Sequence, residues 1–231
     1  MPSAVSAPRE TFGVAADRLA LRVLGALRGP GDAVFVAEYV ADTPDPLSCL
    51  AALRIVGSDS FAPHLLAGAP LRPQDTAAVS QALTAFRAGD GAPSDPYVAW
   101  RDWATARLLS LHNPRHPALP PPAQRPGSGE DWRGLSDALA RLAPLALPVL
   151  DSPVHELARR SGRALARGLT RAMLRRDHPT AARLVRWLCL LPGPLPLDPL
   201  AALDHLDLHG VAGPRTALDL AIARLLREPV R

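Results

Sequence analysis

Apolar positions recur along the chain at intervals of three and four, and proline marks where each run begins. In Asp45-Pro46, Asp95-Pro96, Ser152-Pro153 and Asp198-Pro199, an oxygen-bearing side chain stands before a proline that opens an apolar-periodic run. This order suits a helix start. The side-chain oxygen accepts from an orphan backbone N–H, and proline at the next position lacks an N–H that would go unsatisfied. Arg72-Pro73, His178-Pro179 and Gly213-Pro214 repeat the pattern without a capping oxygen. The periodicity predicts helices over 13–28, 32–41, 46–56, 74–88, 96–111, 131–149, 153–176, 180–191, 199–208 and 214–227. Residues 33–40 are β-branched and aromatic enough to read as a strand. A lone strand would have no partner elsewhere in the chain, which favours helix.

The fold class expected is therefore all-α: about ten short helices in stacked antiparallel hairpins, with solenoid-like and toroid-like arrangements both open. Residues 113–129 are too rich in proline for helix and too long for an ordinary connection. They separate an N-terminal helical half, 1–112, from a C-terminal half, 130–231, and the two can also pack as one domain. Pro46-Leu47-Ser48-Cys49-Leu50-Ala51-Ala52-Leu53 is faintly echoed by Pro199-Leu200-Ala201-Ala202-Leu203, but no fixed repeat period emerges.

Composition narrows the class. With 48% hydrophobic and 21% charged residues among 231, a disordered chain is excluded. Cys49 and Cys189 lie in apolar segments far apart and form no ligand cluster, as expected of buried thiols in a reducing cytosol. The opening residues lack the basic and apolar regions of a secretory signal. No apolar stretch reaches the roughly 18 residues of a spanning helix. The expectation is a cytoplasmic protein with no membrane insertion. All 26 basic residues are arginine, which points to a high-GC bacterial coding sequence and discounts arginine content as a functional sign.

Charge position survives that discount. The chain carries a net charge of +4 and a pI near 10.0. From Arg159 to Arg186, however, nine arginines face a single acid, Asp177, a local charge of +8. The remaining residues carry 17 basic and 21 acidic groups, or −4. At about 100° per residue, Arg159, Arg160, Arg163, Arg167 and Arg171 share one side of the helix predicted over 153–176. Ala164, Leu165, Gly168, Leu169, Ala172 and Met173 share the other side. Glu156 is placed to pair with Arg160. Such a face is either solvated and neutralised by acids of its own fold or a contact surface for an acidic protein surface or another anionic partner. Nucleic acid is less favoured, since no helix-turn-helix, RNP-like or zinc-finger pattern accompanies the arginines.

Other candidate chemistry is sparse. Tyr97, Trp100, Trp103 and Arg107 lie on successive turns of one helix, where they pack into a core or line a ligand pocket with the arginine as a carboxylate clamp. His205, Asp207 and His209 are weak metal candidates, with too few donors for a catalytic site and no HExxH-type base. His112 and His116 are separated by Pro114. No nucleophile elbow, Walker A, dinucleotide or kinase signature is present. The expectation is a non-catalytic interaction or accessory protein without a cofactor, holding an acidic partner on the arginine face. The alternative is a helical small-molecule binder or enzyme with a pocket lined by Tyr97, Trp100, Trp103, His112, His205 and His209.

Overall fold

The capping residues act as the sequence predicts. In the computed structural model, the N–H groups of Leu47, Tyr97, Val154 and Leu200 donate to the side-chain oxygens of Asp45, Asp95, Ser152 and Asp198 at 3.1, 2.9, 3.2 and 3.0 Å. In each case the intervening proline is the first helical residue. Pro73 and Pro214 also open helices, and at His178-Pro179 the cap is Asp177, which accepts from the Thr180 N–H at 3.2 Å.

The structure describes residues 6–29, 36–42, 45–86, 95–113, 116–124, 126–127, 131–209 and 213–227, with side chains from Phe12 onward. Among them the regular structure is entirely helical: α1 (Ser6–Arg28), α2 (Val36–Asp42), α3 (Pro46–Val56), α4 (Ala62–Ala67), α5 (Pro73–Ala85), α6 (Pro96–His112), α7 (Trp132–Arg141), α8 (Pro153–Arg160), α9 (Gly162–Leu174), α10 (His178–Leu190), α11 (Pro199–His209) and α12 (Pro214–Arg227). Two 3₁₀ turns, Gly57–Phe61 and Ala143–Leu145, complete it.

One local expectation holds over its described part and two change. Residues 36–42 form helix, with Val36 and Tyr39 buried one turn apart; residues 32–35 of the expected element lie outside the described residues. The helix expected to reach 149 ends at Arg141, because Pro144 cannot donate and disfavours helix before it. The helix expected over 153–176 breaks at Ser161, whose N–H donates to the Ala158 carbonyl three residues back, at a Ser-Gly pair of weak helix formers. Helix α4, which follows Gly57 and contains Pro63, was not anticipated. Residues 87–88 of the helix expected over 74–88, and 114, 115, 125, 128 and 129 of the proline-rich segment, lie outside the described residues.

Packing centres on α10, which touches α7, α9, α11 and α12, while α1 lies against α3, α4 and α12. Buried apolar residues from Ala15 to Ala223 form one continuous cluster, with Trp187 and Trp100 fully enclosed. The described part of the proline-rich segment lies along α6, where the Trp100 and Trp103 indole N–H groups donate to the carbonyls of Gln124 and Leu119 at 2.8 and 3.1 Å. Cys49 and Cys189 are buried free thiols, and burial pushes the Cys189 thiol up to about 11, so it stays protonated. Among the described residues no helix is long and apolar enough to cross a membrane.

A buried polar knot joins distant parts of the chain. Arg186, fully enclosed on α10, donates to Asp59 in the first 3₁₀ turn at 2.6 Å and to Asp219 on α12 at 3.1 Å. Two further donors reach the Ala146 and Pro144 carbonyls at 3.3 and 3.4 Å. Burial works against this guanidinium's charge, but the two carboxylates outweigh it and raise its pKa above the ordinary arginine value. Removing one member of such a set strands a charge and typically costs about 3–5 kcal/mol.

Candidate functional site

The predicted arginine face is carried by α8, α9 and the turn into α10. Its apolar side is where the periodicity places it: Leu165, Gly168, Leu169 and Ala172 are buried, while Arg160, Arg163 and Arg167 are exposed and Arg171 is half-buried. Two of the five predicted residues are already engaged. Arg159 pairs with Asp151 and, at 3.4 Å, with Glu156, which therefore serves Arg159 rather than Arg160. Arg167 lies over the Trp132 ring at 4.5 Å from its centroid. Arg160, Arg163, Arg171, Arg175 and Arg176 have no ion pair among the described residues.

Arg176 stands out in its backbone. It adopts φ 57°, the one positive φ at a non-glycine residue among those described. The Asp177 N–H donates to Ala172 O and the Arg176 N–H to Met173 O, closing the end of α9 in a form that usually takes glycine. A side chain there costs about 1–2 kcal/mol. Placing a cation at a helix C-terminus returns about 0.3–1 kcal/mol of that. Beside it, Met173, Leu174, Leu197, His178, His205 and His209 border an open concavity, and Leu174 is 81% exposed.

The other arginines of the run face inward. Arg183 and Arg186, one turn apart on α10, point to Asp219 and Asp59. Above this knot a cleft of about 370 Å³ opens between α3, α6, α10 and α12. Four guanidinium groups reach it from positions 101, 141, 183 and 215. Arg141 stacks on Tyr97, 3.6 Å from the ring centroid, and pairs with Asp95 at 2.9 Å; Arg215 pairs with Asp17 at 2.7 Å. Burial pushes the Asp219 carboxyl up to about 6 against the pull of Arg186.

The remaining predicted residues are dispersed. Tyr97 borders the cleft, but Trp100 and Trp103 are buried under the proline-rich segment and stack edge to face at 5.4 Å. Arg107 is half-buried one turn further along α6. His112 stacks on Phe61 and meets His64 edge-on. His205 and His209 lie together at 4.7 Å on α11, whereas Asp207 turns away to accept from Arg224 at 2.9 Å. Among the described residues no group of three or more His, Cys, Asp or Glu could hold a metal ion. The aromatics and histidines thus share no single cavity.

Sequence reading missed Arg101, Arg183, Asp59, Asp95 and Asp219 as one site, because they come together only through long-range packing. No family model matches the chain, and no curated protein or solved structure matches it.

Proposed function

We infer that this is a non-catalytic helical binding protein that holds an acidic protein partner on the outward arginine surface of α8, α9 and the α9–α10 turn. The observation that carries this reading is the division of the arginine run. Arg183 and Arg186 are answered by acids of the fold, while Arg160, Arg163, Arg171, Arg175 and Arg176 have no ion pair among the described residues. A single-sign surface attracts partners of opposite charge over about a Debye length, which sets the encounter rate and orientation.

Two features favour protein over nucleic acid. Leu174, largely exposed, and Met173 stand beside Arg176, so the surface offers apolar contact as well as charge. Interfaces of that mixed kind suit side chains better than a phosphate backbone. The cationic corner is also held with a costly backbone at Arg176, and strain of this sort is found where a position serves binding.

The test is binding of fluorescent polyglutamate and of a duplex DNA oligonucleotide to the full chain, followed by anisotropy as salt is raised. The reading predicts polyglutamate binding that weakens steeply with salt and exceeds DNA binding at matched ionic strength. Salt-independent binding, or a preference for the duplex, overturns it.

A further inference from the structure

The cleft between α3, α6, α10 and α12 contains a cation that makes no ion pair among the described residues. Arg101 is half-buried, and burial lowers its pKa from the ordinary arginine value, the sign of an environment that penalises the charged form. Among the described residues its one hydrogen bond is to the Ile55 carbonyl, although a guanidinium carries five N–H donors. Asp59, Asp102 and Asp219 favour its charge through space but bond to other arginines: Asp59 and Asp219 to Arg186, and Asp102 to Arg54 at 2.6 Å. Arg183, on the facing wall and partly exposed, has among the described residues a single long ion-pair contact, 3.8 Å to Asp219. Asp59 and Asp219 leave one negative charge beyond that of Arg186, shared between two guanidinium groups, so Arg101 and Arg183 together keep a positive charge that an anion entering the cleft can meet.

We propose that this cleft binds a small organic oxyanion, a phosphate or carboxylate held by Arg101 and Arg183, with its apolar portion against Ile55, Val98 and Leu218. The volume, about 370 Å³, lies at the small end of the range for ligand sites. Guanidinium groups bind carboxylate and phosphate oxygens in parallel pairs, which a single carboxylate of the fold does for neither residue. Arg141, over the Tyr97 ring, and Arg215 stand at the same opening, each neutralised by a carboxylate, which leaves Arg101 and Arg183 as the groups to meet the ligand. The site is separate from the outward arginine surface and uses none of its unpaired residues.

Calorimetric titration of the full chain with phenyl phosphate, benzoate and inorganic phosphate at constant ionic strength tests this. The expected result is saturable binding of phenyl phosphate or benzoate at one site, more weakly matched by inorganic phosphate, which lacks the apolar portion. Arg101→Met and Arg183→Met should each weaken it by about tenfold or more, and Arg160→Ala/Arg163→Ala should leave it unchanged. If Arg101→Met does not fold, Arg183→Met decides. Absence of saturable binding of both organic anions, or binding untouched by the Arg183 substitution, overturns the proposal.

Discussion

At the scale of single residues, His155 gives the clearest titration. It is buried at the start of α8, with its Nε2–H donating to the Leu145 carbonyl at 2.9 Å, Nδ1 at 2.9 Å from Ser152 Oγ, and its ring edge-on to Trp187. Burial pushes its pKa down to about 4. Histidine in the unfolded chain takes a proton near pH 6.5, so between these values the unfolded state binds more protons, and His155's contribution, full above 6.5, is lost as pH falls toward 4. Asp219 works the other way: raised to about 6 in the fold, it contributes most below its unfolded value and loses that contribution as pH rises toward 6. The two offset each other in the native chain, and His155→Gln separates them. Urea denaturation should find the native chain's advantage over this variant shrinking by about 2 kcal/mol between pH 7 and pH 4.5. A pH-independent difference contradicts the assignment. Some of this was legible: Arg186 lies inside Leu184-Val185-Arg186-Trp187-Leu188, and Asp219 between Leu218 and Leu220, so each charge interrupts an otherwise apolar stretch. Nothing local tells which acid meets which arginine, since Asp59 and Arg186 are 127 positions apart.

At the scale of elements, the helix starts were readable because a cap and a proline act within one turn. The interruptions were less so. Ser161 and Pro144 weaken a helix without dictating where it stops, and the apolar periodicity continues through both. One helix contact can be tested directly. Gly168 on α9 lies so close to α7 that a Cβ there would be 2.5 Å from Ser136 Cβ, and 3.2 Å from a Leu184 methyl on α10. Alanine improves helix propensity by up to about 1 kcal/mol. Overpacking a tight contact costs about 1–3 kcal/mol, so Gly168→Ala should destabilise the protein on balance. Chemical denaturation checks this, and a variant as stable as the native chain means that α7 and α9 are not in such close approach.

At the scale of the whole molecule, the local charge of +8 divides into two populations that the linear sequence shows as one row. Spacing of four places Arg159 to Arg171 on one side, but the turn at Arg175–Asp177 reverses the chain, so on α10 Arg186 enters the core and Arg183 lines the cleft. The outward group has lost Arg159 to Asp151 and Glu156 and shares Arg167 with Trp132. It keeps Arg160, Arg163, Arg175 and Arg176 exposed to solvent. The inward group holds α10 against α12 and the 3₁₀ turns, and supplies one wall of the cleft. The two groups are proposed to do different work, and that division can be tested. Its most direct test is polyglutamate binding by Arg160→Ala/Arg163→Ala/Arg175→Ala/Arg176→Ala, with thermal unfolding measured alongside. The expected result is polyglutamate affinity reduced by at least about tenfold, with the unfolding midpoint little changed because exposed, unpaired arginines contribute little to stability. Affinity equal to that of the native chain would contradict it.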